Sequence, residues 1–105
     1  PAEPSAEIRS RVIAARAFAA ARTEGALTCN GLMTPADIRR FCRMDDAGGR
    51  LMQTAYDKFA LSARAYDRIL KVARTAADFD KSEIIRKEHI GLALQLRSMS
   101  KKYWQ

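Results

Sequence analysis

The clearest pattern of hydrophobic and polar positions lies between Leu61 and Asp80, in the stretch LSARAYDRILKVARTAADFD. At about 100° per residue, its side chains separate into an apolar and a polar half of a helical wheel. The apolar half consists of Ala65, Tyr66, Ile69, Leu70, Val72, Ala73, Ala76, Ala77 and Phe79. The polar half consists of Arg64, Asp67, Arg68, Lys71, Arg74, Thr75 and Asp78. Because this amphipathic run is the longest in the chain, we expect its helix to form the centre of the fold.

The start of this central helix places a cation in an unfavourable position. Ser62 is suited to be the N-cap, because its hydroxyl can accept a hydrogen bond from a backbone N–H one turn on, so the helix is expected to begin at Ala63. Arg64 then lies in the first turn, where a positive charge opposes the helix dipole at a cost of roughly 0.3–1 kcal/mol. A nearby anion would offset that cost.

The region before the central helix predicts three further helices. Ser5 is expected to cap a first helix that reaches about Arg22, with a narrow apolar stripe and a set of arginines that are best interpreted as solvated. The stripe consists of Ile8, Val12, Ala15 and Ala19, with Phe18 at its edge, and the arginines are Arg9, Arg11, Arg16 and Arg22. Residues 23–33 contain two glycines and an asparagine, which predicts an extended loop with a turn at Asn30-Gly31.

Thr34-Pro35-Ala36-Asp37 is typical of a helix start, since it combines a capping hydroxyl, a proline at the first position and a carboxylate near the positive end. The second helix is expected to end at about Cys42 or Arg43, and Asp45 or Asp46 can cap a third helix that reaches about Phe59. The predicted inward residues are Ile38, Phe41, Cys42, Leu51, Met52, Ala55 and Phe59. Gly48 and Gly49 weaken the first turn of the third helix by roughly 1 kcal/mol each relative to alanine.

A fifth helix is expected after the central one, from about Glu88 to Arg97. Its predicted buried residues are Ile90, Ala93, Leu94 and one of Leu92 and Leu96, and Ile84 and Ile85 of the preceding connector are expected to enter the core. His89, in the first turn, is interpreted as a capping or partly buried imidazole, because no motif places a nucleophile beside it. No strand pattern is present, so the prediction is an all-α five-helix bundle.

Composition narrows the function classes. The 105 residues predict one domain, with residues 1–4 and 98–105 flexible, and the chain is interpreted as a fragment because it starts without a methionine. No apolar run could span a membrane, and a cytoplasmic location is expected. Nineteen basic against twelve acidic residues favour an anionic partner. Cys29 and Cys42 are too few and too far apart for a disulfide framework or a zinc motif.

One family resemblance covers nearly the whole chain. The segments EIRSRVIAARAFAAAR, CNGLM and SARAYDRILKVARTAADF, followed by Ile85, His89-Ile90 and residues 93–97, resemble the C-terminal region of the magnesium-chelatase-related AAA+ ATPases of the ComM competence-protein type. The sequence departs from the usual family pattern at Ala76, at Phe79 and after Asn30. These departures concern packing rather than polar groups.

The resemblance implies that the chain is the helical lid that follows a nucleotide-binding core. In such ATPases a sensor-2 arginine at the start of a lid helix reaches the phosphates, and by motif position that residue is Arg64, with possible assistance from Arg68 one turn on. The resemblance further implies ATP and magnesium bound by the core of the same chain, neighbouring subunits of a hexameric ring, and DNA as the favoured substrate. Arg74 is explained by pairing with Asp78 four residues on, or with Asp67 and Asp78 together.

Two rival classes stay open at this point. A free-standing helical DNA-binding module is suggested by the +7 charge and by the helix, turn and helix between Thr34 and Phe59, although DDAGGRLMQT is a poor opening for a recognition helix. A helical adaptor for acidic protein surfaces is the other. The chain contains neither GxxxxGK[ST] nor GxGxxG, so on the lid interpretation the phosphate loop and the catalytic residues belong to the core.

Overall fold

The computed structural model describes residues 5–25 and 30–100, and this part of the chain contains five α-helices and one 3₁₀ turn. The elements are α1 (Ser5–Arg22), the 3₁₀ turn Asn30–Leu32, α2 (Pro35–Phe41), α3 (Asp46–Phe59), α4 (Ala63–Phe79) and α5 (Lys87–Met99). Within the described ranges, the β-type pairing is a single parallel bridge between Met44 and Ile85. The prediction of an all-α bundle of five helices is confirmed.

Helix α4 is the central element, as its amphipathic pattern predicts. It packs against α5, α1, α2 and the 3₁₀ turn. Its apolar face supplies the largest share of the core, and the fully buried side chains include Ile69, Ala73 and Ala77. The other core residues from the described ranges are Met33, Ile38, Phe41, Cys42, Met52, Ala55, Leu61, Ala65, Leu70, Ile85, Ile90 and Ala93.

The helix starts follow the predicted capping chemistry. The side chain of Thr34 accepts from the backbone N–H of Asp37, and the Asp37 carboxylate accepts from the N–H of Thr34, which forms a capping box. Asp45 caps α3 and Ser62 caps α4, each by accepting a backbone N–H three residues on. These contacts satisfy donors that a helix start otherwise leaves unpaired, so the three helix starts are determined locally.

His89 closes the start of α5, which confirms its interpretation as a capping, buried imidazole. Its Nδ1 accepts from the backbone N–H of Arg86 at 2.9 Å, and its Nε2 lies 2.7 Å from a carboxylate oxygen of Asp80. Because Nδ1 is the acceptor, Nε2 carries the hydrogen and donates to Asp80. The imidazole therefore links the end of α4 to the start of α5.

Several predicted core positions are wrong. Phe59, Phe79, Ile84, Leu92 and Leu96 are exposed, at 47%, 46%, 40%, 45% and 40%. Phe59 and Phe79 are the last residues of α3 and α4, Leu92 and Leu96 share one face of α5, and Ile84 lies in the connector before α5. The apolar period of a helix does not show which of its residues the neighbouring elements leave uncovered. In α1 the predicted stripe is buried only at Ala15.

One predicted irregular segment also differs. Residues 23–33 are not wholly extended, because the N–H of Met33 donates to the carbonyl of Asn30 and closes the 3₁₀ turn. Helix α5 ends at Met99 and is capped by Ser100, and the flexibility of residues 1–4 and 98–105 stays a prediction. Residues 1–4, 26–29 and 101–105 lie outside the described residues.

The connector before α3 and the connector before α5 are joined backbone to backbone. The N–H of Ile85 donates to the carbonyl of Arg43 at 2.8 Å, and the N–H of Asp45 donates to the carbonyl of Ile85 at 2.9 Å. Ile85 is fully buried, whereas Ile84 points outward because successive side chains of extended backbone alternate. Only half of the predicted pair therefore enters the core.

Gly48 is required by this junction rather than merely tolerated. A Cβ on Gly48 would lie 2.9 Å from a carboxylate oxygen of Asp45, 3.2 Å from the carbonyl oxygen of Ile85 and 3.3 Å from the carbonyl carbon of Arg86. A Cβ on Gly49 would meet no atom within 4 Å. The two adjacent glycines therefore have different roles.

We expect Gly48→Ala to lower the free energy of unfolding by about 1–3 kcal/mol, because the methyl group forces the start of α3 away from the 85–86 backbone. Gly49→Ala is the matched control and should raise stability by up to about 1 kcal/mol, because alanine is the better helix former. Urea unfolding followed by circular dichroism measures both. Equal effects of the two variants would contradict the close approach at Gly48.

Candidate functional site

Arg64 lies exposed in the first turn of α4, where the sequence predicts it. The hydroxyl of Ser62 accepts from the N–H of Ala65 at 3.1 Å and holds this turn in place. The turn contains no acidic side chain, and within the described part of the chain Arg64 forms no ion pair or hydrogen bond. A guanidinium at the positive end of a helix without a counter-charge is disfavoured, so an anion at this position would be stabilising.

Arg68 and Lys71 lie on the same side of α4 as Arg64, because residues at i, i+4 and i+7 share a helix face. Arg68 is half-buried and already has a polar or charged interaction within the chain. The Nζ atom of Lys71 lies 3.4 Å from the carbonyl oxygen of Gly31. The structure thus brings the two candidate arginines onto one face, and Arg64 is the one whose side chain is not otherwise engaged.

Arg74 and Asp78 contradict the helical wheel, which places them on the polar, outward half. Both are buried, with exposed fractions of 0% and 2%. Their Nη2 and Oδ1 atoms are 3.1 Å apart, so the predicted pairing at i+4 is confirmed. The reason for the burial is that the second half of α4 is covered on its polar side by the end of α1, the 3₁₀ turn and residues 82–83.

The carboxylate of Asp78 is the centre of a buried polar cluster. Arg22 donates to it through two parallel hydrogen bonds of 2.9 Å, from Nε to Oδ1 and from Nη2 to Oδ2. Asn30 donates to Oδ2 at 2.8 Å and to the hydroxyl of Thr75 at 3.1 Å, and its own Oδ1 accepts from Arg22 at 3.1 Å. The cluster connects α1 and the 3₁₀ turn to α4 through charge-assisted bonds, which are the stronger class of hydrogen bond.

Arg74 extends this cluster to the backbone of two other segments. Its guanidinium donates to the carbonyl oxygens of Phe41, at 3.3 Å, of Glu83, at 2.7 Å, and of Ser82. Burial lowers the pKa of Arg74 from its ordinary value, while the neighbouring Asp78 carboxylate opposes that effect. The side chain fastens the end of α2 and the connector before α5 to the central helix.

The buried cluster contains the polar residues that the sequence interpretation missed. Arg22 is expected to be solvated, yet only 6% of its side chain is exposed, and Asn30 is interpreted as a turn residue alone. The spacing of Arg74 and Asp78 was the available signal for the cluster. No local signal marks Arg22 or Asn30, because both reach Asp78 across more than 45 residues.

The single described cysteine has no sign of reactivity. Cys42 is buried, and burial raises the pKa of its thiol to about 11 against the lowering effect of Arg74. Its Sγ lies 3.8 Å from the Sδ atom of Met33, which is a packing contact. Cys29 lies outside the described residues. In residues 5–25 and 30–100 there is no group of three or more potential metal ligands.

The first turn of α3 is packed against the connector before α5. The first turn of α3 is held by Asp45, and Gly48 is buried against the backbone of Ile85 and Arg86. A recognition helix uses its first turns to contact base edges. This packing gives no support to the DNA-binding alternative.

No helix in the described ranges has the length and apolar character that crossing a membrane requires.

Known proteins include relatives of this chain. Residues 2–97 match the family described as magnesium chelatase, subunit ChlI C-terminal. The chain is 35% identical over 101 residues to the uncharacterized protein YifB of Escherichia coli, covering 96% of this chain and 19% of YifB. It is 36% identical over 97 residues to competence protein ComM of Haemophilus influenzae, covering 92% of this chain and 18% of ComM.

A second YifB protein, from Salmonella typhimurium, is 30% identical over 99 residues, which cover 94% of this chain and 19% of the relative. No solved structure matches. The chain therefore spans about a fifth of the length of the curated relatives that it matches.

Proposed function

Since the chain belongs to the magnesium chelatase C-terminal domain family, we propose that it is the helical lid of an ATPase and that Arg64 contacts the phosphates of bound ATP. The observation that carries this proposal is the exposed guanidinium in the first turn of α4, which has no counter-charge among the described residues. A guanidinium suits phosphate oxygens, because it stays charged and presents a planar fork of donors.

The position of Arg64 on the central helix supports a role in coupling. Helix α4 packs against three other helices, and Arg74 ties it to the segments on either side. On this proposal, a displacement of the first turn of α4 also moves the helices that pack against α4. On this proposal, contact between ATP and Arg64 favours a closed arrangement of lid and core, and loss of the terminal phosphate releases it.

Arg68 is the weaker of the two candidates. It lies one turn further along α4, is half-buried and already has an interaction partner. A direct contact with phosphate would require it to give up that interaction. We therefore assign the phosphate contact to Arg64 and an assisting role at most to Arg68.

The remaining machinery belongs, on this proposal, to other parts of a longer protein. ATP and Mg²⁺ are held by a nucleotide-binding core of the same chain, and this domain by itself does not hydrolyse ATP, since hydrolysis needs the phosphate loop and the residues that position metal and water. The proposal assigns no magnesium ligand to the described residues. The whole protein is expected to act in the cytoplasm in a hexameric ring, with DNA as its favoured substrate, and one relative is named competence protein ComM.

The test of the proposal is the ATPase rate of the full-length protein. Arg64→Ala should lower kcat roughly 10–100-fold, because a hydrogen bond to a charged group contributes about 1.5–3 kcal/mol. Arg64→Lys should recover only part of the loss, because lysine lacks the planar fork. Steady-state ATPase assays measure both variants, and circular dichroism confirms their folding.

Lys71→Ala is the matched control, because it removes a cation from the same face of α4 two turns further on. Arg74→Ala is unsuitable as a control, since that side chain is buried and structural. Wild-type turnover in both Arg64 variants would eliminate the proposed phosphate contact. An equal loss in Lys71→Ala would attribute the effect to the general charge of this face.

A further inference from the structure

A second cationic site lies away from Arg64, at the junction of α1, α2 and the connector before α5. A cavity of about 270 Å³ is lined there by Arg22, Glu24, Arg40, Phe41, Arg43 and Glu83. The guanidinium carbons of Arg40 and Arg22 lie 4.8 and 5.9 Å from the ring centre of Phe41. Cation–π contacts of this kind hold the two guanidiniums near the buried ring.

Arg22, one of the residues that line this cavity, has an unpaired donor. Only 6% of the Arg22 side chain is exposed, and its Nη1 is buried without a hydrogen-bond partner among the described residues. A buried donor that lacks an acceptor is destabilising, more so when it is charged. Arg40 and Arg43, by contrast, are exposed and form no ion pair with a described residue. Arg22 therefore has one donor without an acceptor, and Arg40 and Arg43 beside it are solvated and available to an incoming anion.

The balance of positive and negative side chains at the cavity also favours an anionic ligand. Arg22 shares the Asp78 carboxylate with Arg74, so two guanidiniums in the interior face one carboxylate. The cavity itself is lined by three guanidiniums, of Arg22, Arg40 and Arg43, and two carboxylates, of Glu24 and Glu83. The cavity and the adjoining Arg74–Asp78 pair together therefore carry one more positive than negative charge. One positive charge is left without compensation. A single monoanionic group would neutralise the site, whereas a phosphate dianion would overcompensate it.

We propose that this cavity is a docking socket for the carboxylate of an aspartate or glutamate side chain that a protein partner presents. Guanidinium forks match a carboxylate in a two-point geometry. The glutamates Glu24 and Glu83 at the same cavity repel a chain of phosphates but attract basic residues beside the inserted acid. The partner segment is therefore an acidic side chain flanked by basic ones. This site is separate from Arg64 and does not depend on the proposed ATP contact.

The test uses the capped peptides acetyl-Lys-Glu-Lys-amide and acetyl-Lys-Gln-Lys-amide as probes. Both are titrated into the chain while NMR records the Nε–Hε signals of the arginine side chains. We expect saturable shifts of the Arg22 and Arg40 signals with the glutamate peptide, and at least about tenfold weaker binding of the glutamine peptide, as loss of one charged contact implies. Absence of a saturable shift would overturn the proposal.

Variants and a second probe complete the test. Arg40→Gln and Arg43→Gln should each weaken binding of the glutamate peptide at least about threefold, while Arg9→Gln on the exposed surface of α1 should leave it unchanged. A dinucleotide that carries one phosphodiester should bind more weakly than the glutamate peptide. Tighter binding of the dinucleotide would overturn the assignment to a protein partner, and equal losses in all three variants would reduce the site to general surface charge.

Discussion

Asp78→Ala is expected to lower the free energy of unfolding by about 3–5 kcal/mol, one of the two largest effects expected of a single substitution in this chain. The carboxylate of Asp78 accepts hydrogen bonds from Arg22, Arg74 and Asn30 in the interior. Removal of one partner of a buried ion pair leaves the other charge uncompensated in a medium of low dielectric constant. Here two guanidiniums would lose their shared counter-charge.

Two further variants separate the charge of Asp78 from its shape. Asp78→Asn keeps the size of the side chain but removes the charge and replaces an acceptor with a donor, so it should still lose most of the 3–5 kcal/mol. Asp57→Ala removes an exposed carboxylate on α3 and should change stability by less than about 0.5 kcal/mol. Urea unfolding at neutral pH measures all three. A loss below 1 kcal/mol in Asp78→Ala would mean that water replaces the carboxylate and that the cluster is not structural.

Ile69→Ala is expected to lower the free energy of unfolding by about 2–5 kcal/mol. Ile69 is fully buried on the apolar face of α4, where the other helices converge. Truncation removes apolar surface from the core and leaves a cavity that a closely packed interior fills only in part. Chemical denaturation curves of the wild-type chain and of Ile69→Ala, fitted with a shared m-value, give the difference in the free energy of unfolding.

Lys71→Ala provides the comparison for Ile69, because it lies on the opposite face of the same helix. Its contact with the carbonyl of Gly31 is long, at 3.4 Å, so its removal should cost less than about 0.5 kcal/mol. Similar losses in the two variants would contradict the central position of α4. A larger loss in Lys71→Ala would indicate that the faces of the helix are reversed.

The helix bounds follow from local chemistry and could be read from the sequence. Thr34, Asp45 and Ser62 each satisfy a backbone donor three residues on, and the apolar period then extends the helix until it meets a turn. The same local rules place Arg64 in the first turn of α4. These features depend on residues that are close together in the sequence, so they can be predicted without knowledge of the tertiary contacts.

The sequence predicts only part of the division of α4 into a buried and a solvated half. A helical wheel assumes that packing comes from one side, and this holds for Ile69, Ala73 and Ala77. It fails for Phe79, which is 46% exposed although residues of α1 and α5 line the clefts beside it. A helical wheel compares the residues of one helix with each other, but it contains no information about how many other elements pack around that helix.

By itself, the sequence determined five helices, the caps of α2, α3 and α4, the central role of α4 and the exposed position of Arg64, because each depends on residues within a few turns of one another. Ser5, the predicted cap of α1, is the first residue of that helix. Only the tertiary structure decided that Arg74 and Asp78 are buried and that Arg22 and Asn30 join them. The physical reason is that a carboxylate enters the interior when donors from distant segments surround it. The contact between Arg22 and Asp78 spans 56 residues, and no periodicity in the sequence encodes it.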